Sequence, residues 1–295
     1  MAFVVTNRNT ANSASGHGTG SFTTGAFTPT ANSLLVCIAE ASEDSGTTNP
    51  AADITISDSE GLTWTPQVLA GSAVSWSLGH RVFTAPVGAS PASMTITVDC
   101  GARNISRWHV RTFDITGHNV ASPVVQVQSD NSIATNGADS MAVFGSSVTS
   151  GNLVISILGR DIAPGATSVV THGTGWTELF DGQHTSLAQS LQAQYRTDLS
   201  DTTAGAWDDV EASGATCSRA WATSLEIAAA ATTLTASVED SIAFDEDFTI
   251  GWIVDDGAEG VAFDDSIDAD IIVGGGSTTN PLTEISDITN VTYLT

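Results

Sequence analysis

The sequence contains no lysine, and all eight of its basic residues are arginine. They stand against 33 acidic residues, so the 295-residue chain has a formal net charge of −25. A surface this negative repels nucleic-acid phosphates and anionic lipid headgroups, and we therefore expect neither nucleic acid nor a membrane as a partner. Two explanations of the missing lysine stay open: adaptation to high salt, and the base composition of the genome.

Charged residues of either sign are scarce as well, at 14% of the chain, whereas about a quarter is usual in soluble domains. Serine, threonine, asparagine and glycine take their place. A chain poor in glutamate, lysine and arginine but rich in threonine, valine and isoleucine forms helices poorly and strands well. Helical periodicity is almost absent, which favours an all-β fold.

Cysteine is rare and long apolar runs are missing. The three cysteines are Cys37, Cys100 and Cys217, and their spacing matches no metal-binding motif. Cys37 lies within an apolar run and is interpreted as a core residue, whereas Cys100 and Cys217 could pair only if their segments touched. No run reaches the roughly 18 apolar residues of a membrane span, and the N-terminus lacks the pattern of a secretion signal.

The chain has the patterns of β-strands instead. Residues 74–82 and 93–98 alternate between apolar and polar side chains, which is typical of strands with one buried and one solvated face. Residues 34–38 and 153–158 are continuously apolar, which predicts central strands covered on both faces. Turn signals separate these runs, so the pattern predicts β-sandwiches of the jelly-roll or immunoglobulin-like type.

The sequence also repeats itself weakly. Trp64 and Trp176 each follow a glycine-containing turn, and they are 112 residues apart. The segments SRWHVRTFDI (residues 106–115) and SRAWATSLEI (residues 218–227) match at the same offset. Two further pairs occur in the same order, at offsets of 113 and about 119 residues. Four matches in the same order indicate a duplicated module of about 115 residues.

The repeat and a change of composition define the predicted domains. We expect two tandem β-sandwich modules at residues 1–119 and 120–231, followed by a small acidic β appendage at residues 232–295. The appendage carries 14 acidic residues and no basic one, and it keeps the apolar alternation of strands. Because so short a segment has a marginal core of its own, we expect it to pack on the modules or on a neighbouring subunit.

The stretch VTHGTGWT (residues 170–177) is similar to the glycine-rich oxyanion loop of lipases. No Gly-x-Ser-x-Gly motif accompanies it, and in the repeat it aligns with SDSEGLTWT (residues 57–65), which has no histidine. We interpret it as a turn that leads into a strand beginning near Trp176. His80 shares a strand face with apolar residues and is interpreted as a core histidine. No catalytic or cofactor-binding residue is predicted, and we expect the chain not to be an enzyme.

Two kinds of side chain remain as candidate binding residues. Asp245, Asp247, Asp264 and Asp265 offer the oxygen ligands that Ca²⁺ prefers, but their spacing does not form an EF-hand loop. A calcium site and a solvated acidic face both stay open for these residues.

Trp108, Trp221 and Trp252 are candidate contacts for a ligand or partner, because exposed aromatic rings stack on sugars. Trp108 and Trp221 lie at neighbouring but not identical positions of the two matching segments. We therefore expect at least one of these two rings to face outward.

Four segments resemble virion proteins of tailed bacteriophages. They are SFTTGAFTPTANSLLV (residues 21–36), SDSEGLTW (residues 57–64), VFTAPVGASP (residues 82–91) and DSIAFDEDF (residues 240–248). The resemblance covers most of residues 20–115 and is weaker over residues 145–228, and it includes no catalytic motif.

The resemblance implies a β-sandwich structural protein of the virion. We expect a non-enzymatic capsid decoration (cement) protein whose partners are other virion proteins and further copies of itself, in a homo-oligomer such as a trimer. Contact would use exposed strand edges and strand addition by the acidic segment. The alternative is a tail or fibre adhesin that binds a receptor or cell-surface glycan, which requires an exposed aromatic cluster.

Overall fold

The computed structural model describes residues 2–12, 20–43, 49–72, 77–133, 142–162, 168–184, 189–200, 207–211 and 217–230. Within these residues the chain forms fifteen β-strands and a 3₁₀ turn at Pro50–Asp53, and no α-helix. The strands of the first half are β1 (Val4–Asn12), β2 (Ser21–Thr23), β3 (Leu34–Glu43), β4 (Thr55–Asp58), β5 (Thr65–Ser72), β6 (Ser77–Pro86), β7 (Ile96–Asp99) and β8 (Ile105–Thr116). The strands of the second half are β9 (Val124–Ile133), β10 (Leu153–Ile162), β11 (Ser168–Thr171), β12 (Thr177–His184), β13 (Gln189–Arg196), β14 (Asp208–Glu211) and β15 (Cys217–Ile227).

The strands form two large antiparallel sheets and two smaller ones. Sheet I has the order β1-β8-β3-β6-β5, and sheet II has the order β12-β13-β10-β15-β9. Sheet III has the order β2-β7-β4, and β11 pairs with β14 in a two-stranded ribbon. The predicted all-β fold class is therefore confirmed.

The continuously apolar runs form the centres of the two large sheets, as predicted. β3 is buried along its whole length except for its last residue, and it lies between β8 and β6. β10 takes the same place in sheet II, between β13 and β15. In β7 of sheet III, by contrast, Ile96 and Val98 are buried while Thr97 and Asp99 are half-buried. The period of the apolar pattern thus separates strands covered on both faces from strands covered on one.

Sheets I and II pack face to face around one hydrophobic core. Its buried side chains are Leu34, Val36, Ile38, Val82, Phe113 and Ile115 from sheet I, and Leu153, Ile155, Ile157, Leu179, Phe180, Leu191, Ala193, Leu225 and Ile227 from sheet II. Each fully buried leucine, isoleucine, valine or phenylalanine contributes roughly 1.5–3 kcal/mol. Because the two sheets come from different halves of the chain, this shared core is the main force that holds the halves together.

Each large sheet also buries its other face. The reverse face of sheet I packs on sheet III through side chains that include Cys37, Val98 and Trp108. The reverse face of sheet II carries Leu158, which packs in a cluster that includes Trp207. The described part is therefore layered, with both large sheets covered on both sides.

Sheet II repeats the strand order of sheet I. β5 begins at residue 65 and β12 at residue 177, and β8 begins at residue 105 and β15 at residue 217, so each pair is 112 residues apart. With β1 matched to β9, β3 to β10 and β6 to β13, both sheets place corresponding strands in the same order. β4 and β7 correspond in the same way to the ribbon strands β11 and β14. The offsets at which the sequence matches itself are thus the spacings between corresponding strands.

The contacts between the two large sheets are reciprocal. At one rim the Asn7 side-chain amide in β1 donates to the Leu179 carbonyl oxygen in β12, at 2.5 Å. At the other rim the Gly71 N–H in β5 donates to Asn131 Oδ1 in β9, at 2.8 Å. Because β9 corresponds to β1 and β12 to β5, the same pair of corresponding strands meets at both rims: β1 with β12 at one, and β9 with β5 at the other. The halves therefore pack as the subunits of a two-fold symmetric dimer do.

Residues 1–231 form one compact unit. The predicted appendage lies outside the described residues, and so do the candidates Asp245, Asp247, Trp252, Asp264 and Asp265. Their roles stay predictions. Within the described ranges, no helix is long and apolar enough to cross a membrane.

Candidate functional site

The two tryptophans predicted as contacts are both inside the protein. Trp108 is 0% exposed and Trp221 is 1% exposed. Trp108 lies on the face of sheet I that packs on sheet III, and Trp221 packs with Ala70 and Leu78. The expectation that at least one of them faces outward is therefore wrong. Both faces of each large sheet are covered, so no face of β8 or β15 points to solvent.

The stretch VTHGTGWT forms a turn, as predicted from its alignment in the repeat. The Trp176 N–H donates to the Gly173 carbonyl oxygen at 2.9 Å, and Gly175 has a positive φ of 81° that favours glycine. The Gly173 N–H donates to Gln194 Oε1 at 2.8 Å, so this amide is occupied and cannot bind an oxyanion. His172 is exposed, and its Nδ1 lies 3.8 Å from Glu178 Oε2.

A buried polar cluster joins the two large sheets, and we call it the inter-sheet cluster. Its members are Glu40 of β3, His80 of β6, His109 and Arg111 of β8, and Trp221 and Thr223 of β15. Glu40 is paired in register with His80 on one side and with His109 on the other. Polar groups at the end of an otherwise apolar interface require partners inside the protein, because an unpaired buried polar group costs free energy.

His80 has partners from the opposite sheet on both ring nitrogens. The Trp221 indole N–H donates to His80 Nδ1 at 3.1 Å, and His80 Nε2 lies 2.8 Å from Thr223 Oγ1. An indole nitrogen can only donate, so Nδ1 must accept and the proton of the neutral ring is on Nε2. Burial lowers the pKa of His80 to about 3. The interpretation of His80 as a core histidine is confirmed, since the residue is fully buried.

The other members of the cluster place charged groups in the interior. His109 Nδ1 lies 3.3 Å from Glu40 Oε2, and both side chains are 0% exposed. Burial, together with the positive charges of Arg111 and Arg107, lowers the pKa of His109 to about 3. The Arg111 guanidinium lies over the Phe180 ring, 5.6 Å from its centroid, and burial lowers the Arg111 pKa although Glu40 and Asp181 raise it.

The geometry of the cluster limits what chemistry it can perform. A Glu–His pair at this distance resembles the orienting half of a catalytic triad. A reaction, however, needs a substrate in contact with the acid or base, and Glu40, His80 and His109 are all sealed between the sheets. The cluster can therefore fix the two sheets against each other, but it cannot reach an outside substrate in this conformation.

A second pair of buried groups escaped the sequence analysis. Asp114 and Glu226 are 1% and 0% exposed, and they occupy corresponding positions of β8 and β15. Asp114 Oδ2 accepts from Arg8 Nε at 2.7 Å and from the Thr30 N–H at 2.6 Å. Asp114 of β8 thus holds the loop that precedes the central strand β3.

Glu226 makes the equivalent contacts in the second half. Its Oε1 accepts from the Thr149 N–H at 2.8 Å and from Asn152 Nδ2 at 2.7 Å. Its Oε2 accepts from Gln126 Nε2 at 2.6 Å. Thr149 lies 119 residues after Thr30, which matches the offset of the central strands. The signal in the sequence was an acidic residue within an apolar strand, at the same place in both matching segments.

An open groove of about 450 Å³ lies at the rim where β5 and β9 are neighbours. It is lined by Thr65, Gln67, Thr84 and residues 121–127, none of which is charged. Two of the most exposed large apolar side chains are in or beside it: Val125, which is 51% exposed, and Val120, which is 74% exposed. On a chain with a net charge of −25, an uncharged recess flanked by valines is a distinct surface. It suits contact with a neutral partner surface.

The four edge strands of the large sheets are irregular. Register shifts of the β-bulge type occur at Asn7/Asn9 in β1, at Pro66/Leu69 in β5, at Glu178/Phe180 in β12, and at Ala220/Ala222 where β15 pairs with β9. Bulges and edge prolines disturb the row of backbone groups that another strand would need. Regular edge-to-edge pairing, which we expected as a means of self-association, is therefore disfavoured at these sheets.

The described residues give little support to metal or thiol chemistry. They hold no group of three or more histidine, cysteine, aspartate or glutamate side chains placed to bind a metal ion. Cys37 and Cys100 are free and buried, and burial raises the pKa of each thiol to about 12. Cys37 is thus a core residue, as predicted, and Cys100 forms no disulfide with Cys217.

Comparisons of the chain with protein-family models, with curated proteins and with solved structures gave no match.

Proposed function

We propose that the chain is a non-enzymatic structural protein of a tailed-phage particle that decorates the capsid and contacts neighbouring subunits. The proposal rests first on a finer assignment of the fold. In the first half, β1 pairs with β8, β2 with β7, and β3 with β6. Such nested pairing of early with late strands is that of a long hairpin rolled into two sheets, which is the jelly-roll arrangement.

The second half follows the same scheme with one strand fewer among the described residues. β9 pairs with β15 and β10 with β13, which are the nested counterparts of β1 with β8 and of β3 with β6, while β11 with β14 corresponds to β4 with β7. The nested pairs favour two jelly rolls over two immunoglobulin-like domains, which have a different strand order. Jelly rolls are the fold of many viral capsid and lectin domains. A fold alone does not determine a function, so this support is an analogy that adds to the resemblance found in the sequence.

The observation that carries the proposal is that a cluster of buried ionisable groups joins the two large sheets. Glu40, His80, His109 and Arg111 lie between sheets I and II, and Asp114 and Glu226 hold loops in place. Buried charged groups that bind one another and the loops make the protein stiff. We therefore expect its function to depend on its surface and not on an internal cavity. A stiff body with an outward acidic surface suits a shell protein, since net charge keeps a densely packed assembly soluble.

The groove between β5 and β9 is the surface that we assign to contact with another virion subunit. Its lining is uncharged, so a neighbouring acidic copy can approach it without the repulsion that dominates elsewhere on the chain. The bulged edges argue that such contact uses the groove rather than a continued sheet. The expected partners are other virion proteins and a further copy of this chain.

The second candidate is a tail or fibre adhesin that binds a glycan or receptor. The hydroxyl and amide side chains of the groove are suited to hydrogen bonding with a neutral sugar. Sugar platforms also use exposed aromatic rings, and among the described residues Trp108, Trp176, Trp207 and Trp221 are buried and Trp64 is half-buried. The decoration protein is therefore the function that we favour.

Antibody labelling of intact particles tests the proposal. Antibodies against the purified chain are applied to virus particles from cells that produce it, and the label is located by electron microscopy. Label spread over the head supports a decoration protein, and label at the tail tip supports the adhesin. Particles that lack the chain altogether would contradict both.

A further inference from the structure

The contact of His80 with Trp221 and Thr223 crosses from sheet I to sheet II. The indole N–H of Trp221 needs Nδ1 of His80 as an acceptor, at 3.1 Å. The Nε2–H of the same ring is then directed at Thr223 Oγ1, at 2.8 Å. Both bonds exist together only while the imidazole is neutral, because a protonated ring donates from both nitrogens.

Protonation of His80 would turn its Nδ1–H against the indole N–H. The ring is fully buried, so the new charge would have no water to solvate it, and a buried charge without a partner is costly. Among the described residues, the titratable and charged groups on this face of the neighbouring strands are Glu40 of β3, and His109, Arg107 and Arg111 of β8. Glu40 Oε2 already lies 3.3 Å from His109 Nδ1, and the two arginines oppose a further positive charge.

Among the described residues, the strands that pack over the ring from other directions place no acidic side chain at the register positions next to it. On β15 the facing residues are Trp221 and Thr223, and on β10 the neighbour of Trp221 in register is Gly159. On β5 the residue paired with His80 is Ala70. Asp161 lies two residues beyond Gly159, past the Trp221 ring. Protonation therefore removes one inter-sheet hydrogen bond and adds a buried charge.

We propose that the His80–Trp221–Thr223 contact is an acid-sensitive clasp, which stabilises the packing of sheet I on sheet II at neutral pH and destabilises it in acid. This inference does not depend on the proposed role in the virion. The direction of the pH dependence follows from the linkage between proton binding and unfolding. The separated or unfolded chain has a histidine pKa of about 6.5, whereas burial lowers the pKa of His80 to about 3. The open state therefore binds the proton more readily, and stability contributed by His80 is lost as pH falls below about 6.5.

Urea unfolding at pH 7.0 and pH 4.5 tests the clasp, with the full chain and a His80→Gln variant. One proton taken up only by the open state shifts the unfolding equilibrium constant about tenfold per pH unit. His80 should therefore account for roughly a hundredfold shift between pH 6.5 and 4.5. We expect the shift between pH 7.0 and 4.5 to be about a hundredfold smaller in His80→Gln, which keeps the contribution of the buried His109, and to be unchanged in the control His172→Gln, whose histidine is exposed. The same dependence on pH in His80→Gln and the wild type would overturn the proposal.

Nuclear magnetic resonance of the wild-type imidazole keeps the test decisive even if His80→Gln folds poorly. The nitrogen shifts and couplings of His80 should report a neutral ring with its proton on Nε2 at pH 6, where exposed histidines are partly charged. In Trp221→Phe the indole donor is gone, so we expect the pKa of His80 to rise. A ring protonated on Nδ1 at pH 6 in the wild type would contradict the clasp.

Discussion

Replacing Gly159 by alanine tests how tightly the two sheets meet. Gly159 is in β10, where its backbone lies against the Trp221 ring and the Glu40 carboxylate. A methyl group there would collide with Trp221 Nε1 and would lie 2.6 Å from Trp221 Cε2 and 2.9 Å from Glu40 Oε1. Normal contacts between such atoms are about 3.5 Å or more. Trp221 is buried and hydrogen-bonded to His80, so the ring cannot move aside without loss.

The expected change in the free energy of unfolding combines two destabilising effects and one stabilising effect. Forcing an extra carbon into a packed core costs about 1–3 kcal/mol, and breaking the Trp221–His80 hydrogen bond costs about 1 kcal/mol more. Alanine recovers about 0.4–1 kcal/mol, because it restricts the unfolded chain. We therefore expect Gly159→Ala to lower the free energy of unfolding by about 1–3.5 kcal/mol, which lowers Tm by roughly 2–14 °C for a domain of this size.

The assay is urea unfolding followed by tryptophan fluorescence and circular dichroism. Gly88→Ala is the matched control, because a Cβ at Gly88 meets no atom within 4 Å, and it should be as stable as the wild type or more stable by up to about 1 kcal/mol. If Gly159→Ala is as stable as the wild type to within about 0.5 kcal/mol, a typical scatter for harmless substitutions, the close packing of Gly159 on Trp221 is refuted.

Further predictions concern the buried carboxylates, the thiols and the exposed histidine. Glu226→Gln and Asp114→Asn should each lower the free energy of unfolding by about 2–3 kcal/mol, measured by urea unfolding, since an amide nitrogen would face a buried donor. If both variants are as stable as the wild type, the two carboxylates do not stabilise the loops that they contact. Cys37 and Cys100 should resist alkylation at pH 8 until urea unfolds the chain, as mass spectrometry of the labelled peptides can show; rapid labelling of either in the folded protein would count against the buried thiols. His172→Ala should leave Tm unchanged in a thermal melt, and a clear drop would show that the turn depends on its histidine.

Much of the strand architecture is predictable from the sequence, because it depends on local patterns. The apolar run at residues 34–38 predicts a covered strand, since both of its faces must meet apolar surface. The offset between Trp64 and Trp176 equals the spacing of corresponding strands, since a duplicated segment folds into the same elements. A turn at residues 170–177 follows from the same alignment.

The environment of particular side chains is less predictable, because it depends on which layers cover a sheet. Trp108 is buried by sheet III, and Trp221 by its contact with Ala70, Leu78 and His80. The sequence of the strand that carries each ring does not show which residues from elsewhere in the chain will cover it. Asp114 and Glu226 are concealed in another way: among 33 acidic residues, two that accept hydrogen bonds in the interior look like the rest until their partners are seen.

Reconstitution of particles tests the central claim most directly. Capsids assembled without this chain would be mixed with the purified protein, and binding and resistance to heat would be measured. We predict saturable binding to the head lattice and a higher temperature of capsid disruption. Absence of binding, with heat resistance unchanged, would contradict the proposal that this chain is a capsid decoration protein.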